Sequence, residues 1–140
     1  MAIYDNLPVF KATYDLLLQV VKLSVHIRRD ARYTMGESLK KEIIGLCVCI
    51  YRANLTAEKG PLIEEACEKL VPIKLLIRLL HDTQQLSTKQ YAMLCEHLDT
   101  ITKQLSAWQK YTQKDKKKSS KNKSEQTDSC AAEPEAADKE

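Results

Sequence analysis

Glycine and proline are scarce in this chain of 140 residues, 3 and 4 in number, and there is a single Phe and a single Trp. So little punctuation excludes a β-sandwich or barrel, which needs a turn residue every eight to twelve positions. The three glycines stand apart, so no Gly-rich loop is present to cradle a phosphate. No apolar run approaches the roughly 18 residues of a membrane span, and Met1-Ala2-Ile3-Tyr4-Asp5 lacks the basic start of a secretion signal, so a cytoplasmic protein without membrane contact is expected. The five cysteines include Cys47-x-Cys49 but no C-x-x-C pair, which argues against a zinc or dithiol redox site; Cys47, Cys49, Cys67 and Cys95 fall in apolar stretches as small hydrophobes. His26, His81 and His97 are isolated from any nucleophile elbow, so nucleophilic catalysis is not expected. Glu64, Glu65 and Glu68 lack the Glu-x-x-His partner of a helical di-metal site, and Cys95-Glu96-His97 has the wrong spacing for one. Neither a catalytic group, nor a metal, nor a cofactor is expected.

What the chain does have is helical periodicity. Tyr91, Leu94, Leu98, Ile101, Leu105 and Trp108 recur at alternating steps of three and four, which places one narrow apolar seam on a helix. Four such segments follow one another. The first is expected from Pro8, well suited to a first turn, to Arg28, with Phe10, Tyr14, Leu17, Val21 and Val25 inward. After a polar connection at Arg28–Arg32, Thr34-Met35-Gly36-Glu37 reads as a capping box opening the second helix, which carries Leu39, Ile43, Leu46 and Ile50 inward to near Leu55. Gly60-Pro61 starts the third, kinked but not ended by Pro72, with Leu70, Ile73, Ile77 and Leu80 inward to about Thr83. Ser87-Thr88-Lys89-Gln90 is a second capping box, opening a helix that should end near Lys110. Long amphipathic segments with short links predict an all-α, up-down-up-down four-helix bundle over residues 1–110.

Between Leu70 and Leu80 the only charges are Lys74 and Arg78, so the third helix is apolar well beyond one seam. Self-association through it is expected, joined by the first helix through Leu16, Val20 and Leu23. Beyond Tyr111 no aliphatic residue larger than Ala occurs, and residues 111–140 are expected to form a disordered charged tail. That tail holds a basic block, Lys114 to Lys123, and then an acidic one, Glu125 to Glu140, which cancel; the net charge of +3 therefore belongs to residues 1–110. Cations are the candidate binding groups: Arg28, Arg29, Arg32, Lys40 and Lys41 about the first connection, Arg52 beside Tyr51 and Ala53, Lys74 and Arg78 one turn apart, and Lys103 and Lys110 on the last helix. Repeated around an oligomer, a modest basic patch becomes a competent nucleic-acid surface, because binding scales with the phosphates neutralised.

Four stretches carry a resemblance: Tyr4-Asp5-Asn6-Leu7-Pro8-Val9-Phe10-Lys11-Ala12, Arg32-Tyr33-Thr34-Met35-Gly36-Glu37, Ile50-Tyr51-Arg52-Ala53-Asn54 and Lys103-Gln104-Leu105-Ser106-Ala107-Trp108-Gln109-Lys110. In this order, over about residues 3 to 110, they resemble the accessory variability determinant (Avd) proteins of diversity-generating retroelements. The resemblance implies a homopentameric ring of four-helix bundles with a basic surface. It also implies a non-catalytic accessory role, binding the element's reverse transcriptase and its template RNA in support of mutagenic cDNA synthesis. Arg52 and Arg78 stand where that family commonly has Arg, whereas Ala107 replaces its usual Gly and Gln84 its frequent Lys. The competing expectation is a helical oligomeric protein adaptor without nucleic-acid affinity.

Overall fold

The computed structural model describes the backbone of residues 7–138, and the side chains of residues 7–115 and of Lys117. Every regular element among them is helical: α1 (Pro8–Ser24), α2 (Glu37–Leu55), α3 (Gly60–Asp82) and α4 (Thr88–Asp138). A short turn of α-helix, Arg29–Ala31, and a π-helical segment, Arg32–Gly36, lead directly into α2. The chain divides into two compact units, residues 1–109 and 110–140. In the second unit the described backbone is helical to Asp138, so the last helix does not end near Lys110. The apolar seam stops at Trp108, but Lys, Gln, Glu and Ala beyond it have good intrinsic helix propensity.

Within residues 1–109 all four helices contribute to one apolar core, and α2 packs against both α1 and α3. The backbone N–H of Arg28 donates to Gln85 Oε1 at 3.1 Å, so the first and third connections meet at one end, as helices alternating in direction require. Leu39, Ile43, Leu46 and Ile50 of α2, Leu70, Ile73, Ile77 and Leu80 of α3, and Leu94, Leu98, Ile101 and Leu105 of α4 are buried. Tyr91 and Trp108 are partly buried against them. Pro72 sits inside α3 without ending it.

The first helix departs from expectation by one residue. Val9, Thr13, Leu16, Val20 and Ser24 face the core, while Tyr14, Val21 and Val25 are exposed and Phe10 and Leu17 only half-buried. A one-residue shift turns the face by about 100°. Two polar residues fall on the buried stripe, and both are satisfied locally: Thr13 Oγ1 donates to Val9 O and Ser24 Oγ to Val21 O, each at 2.7 Å. Leu16 and Val20, expected on an outer face, are therefore core residues. The helix also stops at Ser24 rather than Arg28, closing with bonds from His26 to Leu23 O and from Ile27 to Ser24 O.

Of the two capping boxes, one forms. Ser87 N–H donates to Gln90 Oε1 at 2.9 Å and Gln90 N–H to Ser87 Oγ at 3.1 Å. Thr34 does not cap α2, because the chain is already helical from Arg29; its hydroxyl donates back to Asp30 O at 2.8 Å.

The third connection opens with a left-handed residue, Gln84, at φ 64°. Gln85 N–H donates to Leu80 O at 2.8 Å and Gln84 N–H to His81 O at 3.0 Å, the paired bonds of a Schellman cap. A side chain at that φ costs about 1–2 kcal/mol, part of which glycine would return through its freer unfolded state. Gln84→Gly should therefore stabilise the chain by about 0.5–1 kcal/mol, read as a rise of a few degrees in a circular-dichroism melt.

Candidate nucleic-acid interface

Five of the expected cations gather about the first connection. Arg28, in extended backbone, ends the α1 turn, and Arg29 opens the next helical turn with its guanidinium 5.9 Å from the Tyr33 ring centroid. Arg32 donates through one terminal nitrogen to Ile27 O at 3.3 Å, while its buried Nε has no acceptor among the described residues. Lys40 pairs with Glu37 at 3.4 Å, and Lys41 is exposed. Lys40 and Lys41 line an open cleft of about 510 Å³ with Tyr33, Thr34, Glu37, Ser38 and Ile44. Arg28 lines a neighbouring cleft of about 300 Å³ with Asp30, Thr34 and Gln85.

Lys74 and Arg78 share a second place. They line a cleft of about 310 Å³ between α3 and α4, whose floor is Ile77 and Leu98 and whose far wall is Tyr91, Cys95 and Asp99. Arg78 Nε lies 3.6 Å from Asp82 Oδ2, both exposed. Such a pair in solvent is worth at most about 1 kcal/mol and leaves the guanidinium free to exchange partners. The Tyr91 ring stacks on His81 with centroids 4.3 Å apart, and its hydrogen bond with Cys95 raises the phenol above its ordinary range.

Arg52 belongs to neither cluster. Cys49 Sγ meets Leu62 O at 3.0 Å, which sets the register of α2 on α3 and puts exposed Arg52 at the end carrying the second connection. Arg78 lies further along α3 from Leu62 by roughly 24 Å at 1.5 Å per residue. The two arginines therefore cannot grip one short ligand together. Lys103 and Lys110 are exposed on α4. Lys59 instead closes the C-terminus of α2, its Nζ donating to the Ala53, Asn54 and Thr56 carbonyls at 3.0, 3.2 and 2.8 Å.

Tyr33 was not among the residues expected from sequence. It is 64% exposed and stands among the first cluster of cations, and the signal for it is the aromatic directly following Arg28–Arg32. No group of three or more His, Cys, Asp or Glu among the described residues is placed to hold a metal. No helix among them is long and apolar enough to cross a membrane.

The cysteines behave as core. Cys47 and Cys49 are buried, and Cys67 and Cys95 partly so, all four free thiols. Burial pushes the Cys47 thiol up to about 11, and burial likewise raises Cys49 and Cys67. A thiol that holds its proton more tightly when folded stabilises the fold fully below its unfolded value near 9, and that contribution is lost as pH rises from there through about 11. Stability should therefore decline over that alkaline range, and a denaturant series should show a shallower decline in Cys47→Ala.

The surface also carries apolar rows. Tyr14, Leu18, Val21 and Val25 on the α1 side, Ile44, Val48, Tyr51 and Leu55 on α2, and Val71, Leu75 and Leu79 on α3 are all exposed. Each row keeps helical spacing of three or four residues.

No protein-family model matches the chain, and no curated protein does.

Proposed function

We propose that this chain is a non-catalytic accessory subunit of a diversity-generating retroelement, which assembles as a homo-oligomer and binds the element's reverse transcriptase and template RNA in support of mutagenic cDNA synthesis. The observation that carries this reading is the combination, on one small helical body, of a basic end and three exposed apolar rows. Apolar rows of this length on a protein surface mark contact sites for other chains. In a closed ring each subunit would present its basic end in register with its neighbours, multiplying the phosphates neutralised. The resemblance over residues 3 to 110 supports a pentamer as the ring size.

The adaptor reading is favoured by one observation: Lys40–Glu37 and Arg78–Asp82 are paired, which reduces the cationic surface. Co-purification of the chain with the reverse transcriptase and template RNA, with and without nuclease, separates the two. A complex that forms and supports template-dependent cDNA synthesis fits the accessory role. A well-folded oligomer that binds neither partner would leave the adaptor.

A further inference from the structure

We propose that Tyr33 is a stacking platform for an unpaired base of single-stranded RNA, with Arg29 and Lys41 holding the flanking phosphates; this rests on the RNA-binding reading and assigns it a place and a ligand conformation. The backbone provides the first reason. Arg32–Gly36 is π-helical, and the N–H of Glu37 reaches back to Arg32 O, one residue further than an α-helical bond. Such segments are rare and recur at functional sites. Here the wide turn keeps Ala31, Gly36 and Leu39 buried while Tyr33 and Thr34 stand in solvent. A tyrosine left 64% exposed on an ordered helical segment contributes little to the core.

Its surroundings select the ligand. From Arg28 to Lys41 the five cations Arg28, Arg29, Arg32, Lys40 and Lys41 outnumber Asp30 and Glu37, so this segment is cationic even with Glu42 beside it. Arg29 already lies against the Tyr33 ring at 5.9 Å, and Lys41, with no ion pair among the described residues, lines the same cleft as Tyr33. The cleft volume of about 510 Å³ lies within the range of pockets that hold small ligands. An aromatic face beside cations binds splayed bases, each stack being worth about five-fold or more in affinity, and it accepts any base because every base has a π face. A duplex offers no splayed base, so its contact here is confined to phosphate.

The test uses the full chain, a short single-stranded RNA carrying a fluorescent adenine analogue, and a duplex RNA of the same length, titrated over a range of salt. Tyr33→Ala should weaken single-strand binding by at least about five-fold and abolish quenching of the analogue, leaving the salt slope and duplex binding unchanged. Tyr33→Phe should retain both affinity and quenching, which separates stacking from loss of structure. Lys41→Ala should weaken both RNAs and reduce the salt slope by roughly 0.7 to 0.9. Wild-type affinity in Tyr33→Ala, or an equal loss for single strand and duplex, would overturn the stacking role while leaving RNA binding intact. A native chain that binds neither RNA would overturn both readings together.

Discussion

Leu16→Ala should destabilise the chain by about 2–5 kcal/mol, whereas Val21→Ala should change stability by no more than about 0.5 kcal/mol. Leu16 is completely buried in the centre of α1, and its truncation removes apolar contact and leaves a cavity that the other three helices cannot fill without moving. Val21 is 45% exposed, so the same truncation removes atoms that already touch water. Since small domains are stable by only about 5–15 kcal/mol, the first substitution takes a large share of the total. Urea unfolding followed by circular dichroism, repeated at several chain concentrations to remove any contribution from assembly, measures both. The opposite order of effects would mean that α1 buries Tyr14, Val21 and Val25, the stripe its apolar pattern suggests.

The second large effect concerns assembly. In Val71→Glu combined with Leu75→Glu, the chain should sediment as a 16.0 kDa monomer at concentrations where the native chain is a multiple of that mass. Val71 and Leu75 are 67% and 66% exposed on α3, one turn apart. In the separate chain glutamates there stay in water and cost little. In an interface each would be stripped of water, at several kcal/mol per charge that an exposed i,i+3 pair with Lys74 or Arg78 offsets only in part, and the loss repeats at every subunit contact. Sedimentation equilibrium decides it, with a thermal melt of the variant as the control for folding. A native chain that remains at 16.0 kDa at micromolar concentration would remove the self-association reading altogether.

The cores of α2, α3 and α4 were legible because the stripes Leu39 to Ile50, Leu70 to Leu80 and Leu94 to Leu105 are apolar at every buried step, although α2 and α3 also expose apolar rows. On α1 two stripes overlap, and counting apolar residues selects the wrong one. The buried stripe includes Thr13 and Ser24, which a hydropathy scale marks as surface. Their hydroxyls return to carbonyls one turn earlier, so burial leaves no donor unpaired. The capping boxes show the same limit: Ser-x-x-Gln and Thr-x-x-Glu are equivalent as strings, but only Ser87 stands where a helix begins. At Thr34 the helical turn from Arg29 already supplies the backbone partners.

The candidate interface was legible as composition and not as geometry. Five cations close together in sequence remain close in space because one tight connection holds them. Arg52 and Arg78, linked by similar apolar surroundings, lie far apart because α2 and α3 run in opposite directions. Tyr33 escaped notice because its exposure depends on the π-helical turn, which no residue pattern announces.

The connection from Leu80 to Gln90 bears on how quickly the chain reaches its native state. Its Schellman cap and its capping box are made by bonds between residues no more than five positions apart, and none needs a distant partner. Closing so short a loop takes well under a microsecond and costs little entropy. The hairpin of α3 and α4 is thus equipped to form locally, as is that of α2 and α3 across the four-residue link 56–59, which leaves α1 to condense onto them. The helix whose register the sequence specifies least sharply would then dock last, against a surface already shaped to select Leu16 and Val20.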